Sequence, residues 1–411
     1  MPVRKRATTP IICALIFLVA MWQFLPMIDE REFHRDEARW IHRAEYVREL
    51  MHPFGDYWDE STWRNGDSMD ARNRLRAQPP MGSYLMGIGF LLQGQPLPEI
   101  GYWNMDHDTP WNTANGNMPS GEMLTAARRT TATLTALTAV MVFLIGKRLT
   151  TTIGAATGAL FLAVHPLARY LATFAGSDAA LVFFIALATL LAARLAEKPG
   201  WLRAFLLGAA IGMGGATKLS PLGISAVLAT LGLLMLWHHR RKPDIRKLGT
   251  SLLSVPIVAA LTFVLSYPYL WRDPIANSLH VLRYRALSFD VQGALWQQVA
   301  VDSPLEAIDR TWNRFASVEW SVLGRLFGWS VPIENLLAVA GAIILAVLVI
   351  GRGLTSSTAM IAATIGASTA ITIAGMQVDW ARYHFPIVLA MALCIGVAVG
   401  SSEQWLRGRL R

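Results

Sequence analysis

Apolar runs of about 20 residues recur along most of this chain, and they constrain its fold more than any other feature. The hydrocarbon core of a bilayer is ~30 Å thick, and a helix that crosses it needs about 20 mainly apolar residues. Only 16% of the 411 residues are charged, against roughly 25% in soluble domains. The sequence therefore predicts an all-α polytopic membrane protein and disfavours a soluble globular one.

We predict about ten membrane spans, with residues 1–411 forming a single integral membrane domain. The first runs from Pro10 to Ile28 after a basic N-terminus, and we interpret it as an uncleaved span rather than a signal peptide. The others lie near residues 126–146, 152–172, 176–194, 203–219, 220–237, 249–268, 332–350, 355–376 and 383–402. Met81–Leu92 is too short to span and is predicted to be interfacial or re-entrant.

The formal net charge is +9, from 37 Lys and Arg against 28 Asp and Glu. In a soluble protein this excess would favour nucleic-acid binding, but in a membrane protein it orients the chain. The connections predicted to be cytoplasmic are all basic: Gly146–Arg148, Arg194–Arg203, His238–Lys247, Arg352 and the tail with Arg407, Arg409 and Arg411. We expect a plasma-membrane protein with both termini cytoplasmic, in contact with membrane lipids and without a nucleic-acid partner.

Two large segments then remain for the outer face, and we expect juxtamembrane helices and the catalytic motif in the first of them. The first outer loop comprises residues 29–125 and carries 16 of the 28 acidic residues; the second comprises residues 269–330. Both contain many tryptophans: Trp40, Trp58, Trp63, Trp103 and Trp111 in the first, and Trp271, Trp296, Trp312, Trp320 and Trp329 in the second. This composition favours anchoring at the level of the lipid headgroups.

Acidic side chains stand at two predicted outer helix ends. Asp36 and Glu37 would diverge by about 100° on a helix, so one could face a cavity while the other caps, pairs or binds a metal. An acidic first turn offset by arginines is the alternative. Asp178 opens a later span, where an N-cap role for it or for Ser177 competes with a functional role, because acids at membrane depth are costly.

Cations at the predicted outer face run against the positive-inside rule. Lys218 follows one span, and Arg382 and His384 precede the last one. A lipid-linked phosphate would account for them through charge-assisted hydrogen bonds. Snorkelling of these side chains to the headgroups is the alternative.

The order of the motifs resembles the C superfamily of membrane glycosyltransferases (GT-C). The motifs are Asp36-Glu37-Ala38-Arg39 after the first span, Pro79-Pro80 before the short apolar run, Ala127-Arg128-Arg129, Ser177-Asp178-Ala179, Thr217-Lys218 and Arg382-Tyr383. Within that superfamily the chain is similar to the branch of protein O-mannosyltransferases and lipid A aminoarabinose transferases, which use polyprenyl-phosphate sugars as donors. The resemblance covers most of the chain.

The resemblance implies roles for individual residues. Asp36 matches the family's catalytic carboxylate, with Glu37 as the adjoining acid and Asp178 as the second acidic position. The resemblance also implies that four basic residues hold the donor phosphate: Arg39, Lys218, Arg382 and His384. Ala77 and Gln78 stand where the family often has an acid and a basic or imidazole residue, so a divalent metal is compatible with the family but no metal ligand is assigned here.

We therefore expect a glycosyltransferase that moves a sugar from a polyprenyl-phosphate donor to an acceptor hydroxyl of a protein, lipid or glycan at the outer face. Asp36 would act as general base in a single inverting displacement, with Glu37 and Asp178 orienting Asp36 or the acceptor. Two other classes remain open. A transporter or flippase of lipid-linked substrates would have its site near the bilayer midplane, and a non-catalytic envelope assembly protein would tolerate substitution of Asp36.

Overall fold

The computed structural model describes residues 4–63, 67–239, 242–328 and 333–409. Within these ranges there is no β-strand, and one isolated antiparallel bridge joins Ala300 and Val378. The α-helices of these ranges, α1–α20, are Arg4–Phe24, Pro26–Glu30, Arg35–His42, Tyr46–Glu49, Asp67–Arg76, Met81–Leu92, Thr109–Ala114, Gly121–Leu149, Thr152–Val164, Pro166–Ala172, Asp178–Glu197, Trp201–Gly215, Leu222–His239, Pro243–Leu265, Pro274–Leu295, Pro304–Ala316, Val322–Phe327, Ile333–Arg352, Ser357–Ala374 and Phe385–Arg409. The predicted all-α class is confirmed.

In the described ranges, seven segments are long and apolar enough to cross a membrane: Thr8–Glu30, Gly121–Leu149, Asp178–Glu197, Pro243–Leu265, Ile333–Arg352, Ser357–Ala374 and Ala381–Arg409. This confirms a multi-pass membrane protein. The shorter apolar helices α9, α12 and α13 coincide with three further predicted spans, so the count of ten stays a prediction. α6, the run predicted not to span, has 12 residues.

The predicted span at 152–172 is broken into α9 and α10. Pro166 begins α10, and a residue before proline is pushed out of the helical region of backbone space. His165 accordingly has φ −61° and ψ 130°, and its Nδ1 accepts a hydrogen bond from the N–H of Leu167 at 3.1 Å. The chain therefore bends at His165, which interrupts the helix within this predicted span.

Small residues allow the long helices to approach closely. A Cβ atom on Gly154 of α9 would lie 2.4 Å from the carbonyl oxygen of Gly396 on α20. One on Gly212 of α12 would lie 2.5 Å from the carbonyl oxygen of Ala259 on α14. Such contacts are the usual basis of helix association in membranes, where van der Waals packing takes over from hydrophobic burial.

The two predicted outer loops form a helical module against one end of this bundle. An aromatic cluster of Tyr46, Trp58, Tyr84, Tyr267 and Tyr269 is buried at their junction. Trp58 is 1% exposed and Trp103 is 2% exposed, because both pack inside the module. For these two residues, the prediction of anchoring at the headgroups was wrong.

Arg240 and Arg241 of one basic connection, Trp329 of the second loop, residue 332 at the start of one predicted span and the C-terminal Arg411 lie outside the described residues.

Candidate active site

A cavity of about 780 Å³ lies where the outer module meets the end of the bundle. Its lining includes five predicted site residues: Asp36, Arg39, Asp178, Lys218 and Arg382. Glu37 and His384, which were also predicted to belong to the site, do not line it. Side chains from distant parts of the sequence are thus brought to one space.

Asp36 and Arg382 form an ion pair in this cavity, with 2.8 Å between Oδ2 and Nη1. Burial alone would raise the pKa of the Asp36 carboxyl. The charge and hydrogen bond of Arg382 lower it by more than burial raises it, so the net pKa lies below the usual value of 3.8. In the described part of the chain, no group donates a hydrogen bond to Oδ1. Asp36 is therefore ionised at neutral pH and keeps one oxygen open to a ligand.

A reciprocal cap fixes the start of α3 and hence the position of Asp36. The Nδ1 atom of His34 accepts a hydrogen bond from the backbone N–H of Asp36 at 3.1 Å, and the N–H of His34 donates to Glu37 Oε2 at 3.0 Å. Burial holds the pKa of His34 below its usual value of 6.5, against the opposing attraction of Asp36. The ring is thus neutral near pH 7, as an accepting Nδ1 requires.

Glu37 is fully buried and faces away from the cavity. Arg128 donates to its two carboxylate oxygens from Nε at 2.9 Å and from Nη2 at 2.8 Å, and the N–H of Ala175 donates to Oε1 at 3.0 Å. The remaining N–H groups of Arg128 donate to backbone carbonyls of Ile28, Arg31 and Glu32. Glu37 thus ties α3 to α8. Of the two roles expected for it, this position is compatible with orienting Asp36 and does not support contact with an acceptor.

Asp178 and Lys218 form a second ion pair in the cavity. Asp178 is 4% exposed at the start of α11. Ser177 occupies the N-cap position but makes no side-chain capping hydrogen bond, which leaves the capping alternative for Ser177 without support. The Lys218 ammonium also lies 5.1 Å from the ring centroid of Tyr383.

Arg39 lines the cavity one turn after Asp36. It donates a hydrogen bond to the hydroxyl of Tyr102, and its guanidinium lies 5.0 Å from the centroid of that ring. Tyr102 belongs to the first outer loop. This contact holds the Arg39 guanidinium beside the cavity that Asp36 also lines.

Helix α15 contributes cavity residues that the sequence analysis missed. Arg285 donates from Nη2 to the hydroxyl of Tyr383 at 3.3 Å, and Tyr284 accepts a hydrogen bond from Gln78 at 3.2 Å. Val281, Tyr284, Arg285, Ser288 and Gln292 all line the cavity. Their spacing is that of one helix face, which was the available signal.

Gln78, which directly precedes Pro79-Pro80, is held by a buried arginine. Arg43 is 1% exposed and donates to Gln78 Oε1 at 3.1 Å and to the Pro79 carbonyl at 3.1 Å. Its guanidinium lies 4.6 Å from the ring of Trp40. Arg43 thereby holds Gln78 and Pro79, the residues that lead into α6, in position.

His384 is fully buried outside the cavity, so its position does not support the expected contact with a donor phosphate. Its Nε2 lies 2.6 Å from Asp379 Oδ1, and its Nδ1 lies 3.4 Å from Thr311 Oγ1. Asp379 also pairs with Arg314 of α16 at 2.9 Å. These contacts attach the segment that carries Arg382 to the second outer loop.

The charges of the lining favour an anionic ligand. Three acidic residues contribute to it, namely Asp36, Asp106 and Asp178. Six basic residues contribute: Arg35, Arg39, Arg43, Lys218, Arg285 and Arg382. Guanidinium groups match the geometry of phosphate oxygens and remain protonated, so the cavity suits a phosphate group.

The lining does not fit a divalent metal. Over the described ranges, no group of three or more His, Cys, Asp or Glu side chains is placed to hold a metal ion. Asp36 is paired with Arg382 and Asp178 with Lys218, so each of these carboxylates already faces a cation. We therefore derive no step through a metal.

A family model and solved structures match this chain. The sequence model of the family described as dolichyl-phosphate-mannose-protein mannosyltransferase matches residues 57–268, just over half of the chain. No curated protein matches this sequence significantly. The family match includes the Pro79-Pro80, Asp178 and Lys218 motifs but not Asp36 or Arg382.

The fold is similar to two solved membrane enzymes. The oligosaccharyltransferase AglB from Archaeoglobus fulgidus, in complex with an inhibitory peptide and a dolichol-phosphate, has a TM-score of 0.56 at 12% identity over 99% of this chain. ArnT from Cupriavidus metallidurans bound to undecaprenyl phosphate has a TM-score of 0.51 at 14% identity over 100% of it. The chain covers 52% of AglB and 64% of ArnT. The GT-C fold expected from the sequence is confirmed.

Proposed function

Because the chain belongs to the dolichyl-phosphate-mannose-protein mannosyltransferase family, we propose that it is a membrane glycosyltransferase using a polyprenyl-phosphate sugar. The sugar passes to a hydroxyl group of a protein, lipid or glycan acceptor. The observation that carries the proposal is the cavity in which Asp36 and Arg382 lie 2.8 Å apart among further cations. The dolichol-phosphate in AglB and the undecaprenyl phosphate in ArnT share a phosphate head on an isoprenoid tail, which supports this donor class.

The donor phosphate is bound by the cationic side of the cavity. Lys218 and Arg382 contact its oxygens, and Arg39 and Arg285 add charge from α3 and α15. Lys218 keeps two ammonium protons for the ligand after pairing with Asp178. Asp178 thus orients Lys218, while Glu37 and His384 act as positioning residues outside the cavity.

Asp36 acts as the general base. Arg382 orients Oδ2 and keeps the carboxylate ionised, while Oδ1 accepts the proton of the acceptor hydroxyl. The O–H bond of the acceptor breaks as its oxygen forms a bond to C1 of the sugar. The bond between C1 and the phosphate oxygen breaks at the same time, and polyprenyl phosphate leaves with the electron pair.

The product has inverted configuration at C1, because attack and departure occur on opposite faces of the sugar ring. The cations around the phosphate stabilise the charge that develops on the leaving group. This electrostatic contribution is larger inside a cavity than in bulk water, since the lower dielectric strengthens each interaction.

The cavity faces the outer side of the membrane in this proposal, and residues 29–125 and 269–330 form the loops around it. It lies at the start of α11, whereas the basic Arg194–Arg203 connection lies at the far end of that helix. The positive-inside rule places basic connections and both termini in the cytoplasm. A cavity at helix ends also favours an enzyme over a transporter, whose sites lie near the bilayer midplane.

The proposal is tested with purified protein offered a panel of polyprenyl-phosphate sugars together with protein, lipid and glycan acceptors. We expect release of polyprenyl phosphate and a matching gain of one sugar by an acceptor, both read by mass spectrometry. A protein that binds the lipid phosphates but transfers no sugar from any of them would contradict the proposal.

A further inference from the structure

A second groove of about 560 Å³ lies at the opposite end of the bundle from the catalytic cavity. It lies between the C-terminal ends of α8 and α11 and the first turns of α12. The 20 residues of α11 rise ~30 Å at ~1.5 Å per residue, which separates the groove from Asp178 at the other end of that helix. The groove is therefore spatially separate from the catalytic cavity, and the two share no lining residue.

The groove is strongly basic. Its charged lining consists of Arg148, Arg194, Lys198 and Arg203 against one acid, Glu197. Glu197 is already paired with Arg148, with 2.7 Å between Oε1 and Nε. In the described part of the chain, Arg194 and Lys198 have no ion-pair partner, and both are exposed.

A helix end adds to this positive potential. α12 begins at the groove with Gly200 at its N-cap, and no side chain caps it. The first N–H groups of an uncapped helix attract anions, and the helix dipole acts in the same sense. The groove therefore suits phosphate oxygens.

The rest of the lining is apolar and continues onto an exposed surface. Leu191, Leu202 and Leu206 line the groove beside the cations. Leu202 is 54% exposed, and the neighbouring Trp201 and Phe205 are 79% and 48% exposed. A soluble anion would use the cations alone, whereas a phospholipid would use the cations for its headgroup and this surface for its acyl chains.

We propose that this groove binds an anionic glycerophospholipid of the leaflet at that end of the bundle. The phosphate group lies among Arg194, Lys198 and Arg203, and the acyl chains lie along the exposed residues of α12. Basic pockets between membrane helices are suited to such headgroups. This lipid would bind at the far end of α11 from the catalytic cavity.

The test compares two double variants that remove equal charge. Arg194→Gln with Lys198→Gln alters the groove, and Arg246→Gln with Lys247→Gln alters exposed residues near the start of α14, at the same end of the bundle but outside the groove. The purified full-length proteins are titrated in detergent with phosphatidylglycerol, phosphatidylcholine or inorganic phosphate. Thermal unfolding and retained lipid, by native mass spectrometry, are recorded.

We expect phosphatidylglycerol to stabilise the wild-type protein and to be retained by it in preference to phosphatidylcholine. The groove variant should bind phosphatidylglycerol roughly tenfold to thirtyfold more weakly, while the control variant stays within about threefold of wild type. Equal weakening in both variants would overturn the proposal, as would equal stabilisation by inorganic phosphate or by phosphatidylcholine. The lipid preference of the wild-type protein tests the proposal without any variant.

Discussion

The carboxylate of Asp36 and the guanidinium of Arg382 form an ion pair across 346 residues of sequence, at 2.8 Å. Asp36 follows the first apolar helix, and Arg382 precedes the last one. The pair therefore exists only when both ends of the membrane domain have assembled. Arg382 also keeps the Asp36 carboxylate ionised, because burial in the cavity would otherwise raise its pKa and favour the protonated acid.

Replacing Arg382 by Gln should shift the pH dependence of transfer. A carboxylate acts as a general base only when it is ionised, so the rate of transfer falls as the pH drops through its pKa. Because the pKa of Asp36 lies below 3.8, the acid limb of the wild-type pH–rate profile lies below pH 3.8. Without Arg382 the burial of Asp36 remains, and burial favours the protonated acid, so its pKa should rise above the wild-type value. The measurement is kcat/KM against pH, which reports groups of the free enzyme. An acid limb that stays in place would contradict the assignment.

Replacing Lys218 by Met should weaken donor binding roughly tenfold to hundredfold, because one charge-assisted hydrogen bond to the phosphate is lost. Binding of polyprenyl phosphate to the purified protein measures this directly. Lys247→Met removes the same charge from an exposed position on α14, outside the cavity, and should leave the affinity unchanged. If both variants weakened binding equally, the loss of affinity would come from the lower net charge of the protein and not from a lost contact between Lys218 and the phosphate.

Replacing Arg128 by Met should destabilise the fold by about 3–5 kcal/mol, because Glu37 would remain buried without its cation. Chemical unfolding of the purified protein is the measurement. Arg48→Gln, which breaks the exposed pair with Glu99, is the matched control and should cost less than about 1 kcal/mol. A small loss for Arg128→Met would argue against a structural role for Glu37.

A chelator should leave the rate of sugar transfer unchanged. Asp36 and Asp178 are each already paired with a cation in the cavity. Transfer measured before and after removal of divalent ions checks this. Loss of activity that Mg²⁺ or Mn²⁺ restores would show that the carboxylates exchange their partners for a metal.

Much of the architecture could be predicted because apolar length and charge asymmetry report directly on membrane helices. The short α6 and the acidic and basic residues at helix ends were identified in this way. The bend at His165 was missed, although Pro166 carried the signal, because the apolar composition continues through it.

The pairing of site residues could not be predicted, because spacing along one helix says nothing about partners from distant segments. Asp36 and Glu37 were expected to diverge, but which one faces the cavity depends on Arg128 and Ala175 behind them. Arg285 escaped notice because its segment was interpreted only as a loop, although its neighbours have helical spacing.

The most direct test is sugar transfer by the Asp36→Asn variant beside the wild-type protein, with donor binding measured on both. Asparagine keeps the size of the side chain but cannot take the acceptor proton, so we predict transfer lower by about 10²–10⁴-fold with little change in donor affinity. Release of polyprenyl phosphate, followed by mass spectrometry, gives the rate. A variant that binds donor and retains most of its transfer activity would contradict the assignment of Asp36 as the catalytic base.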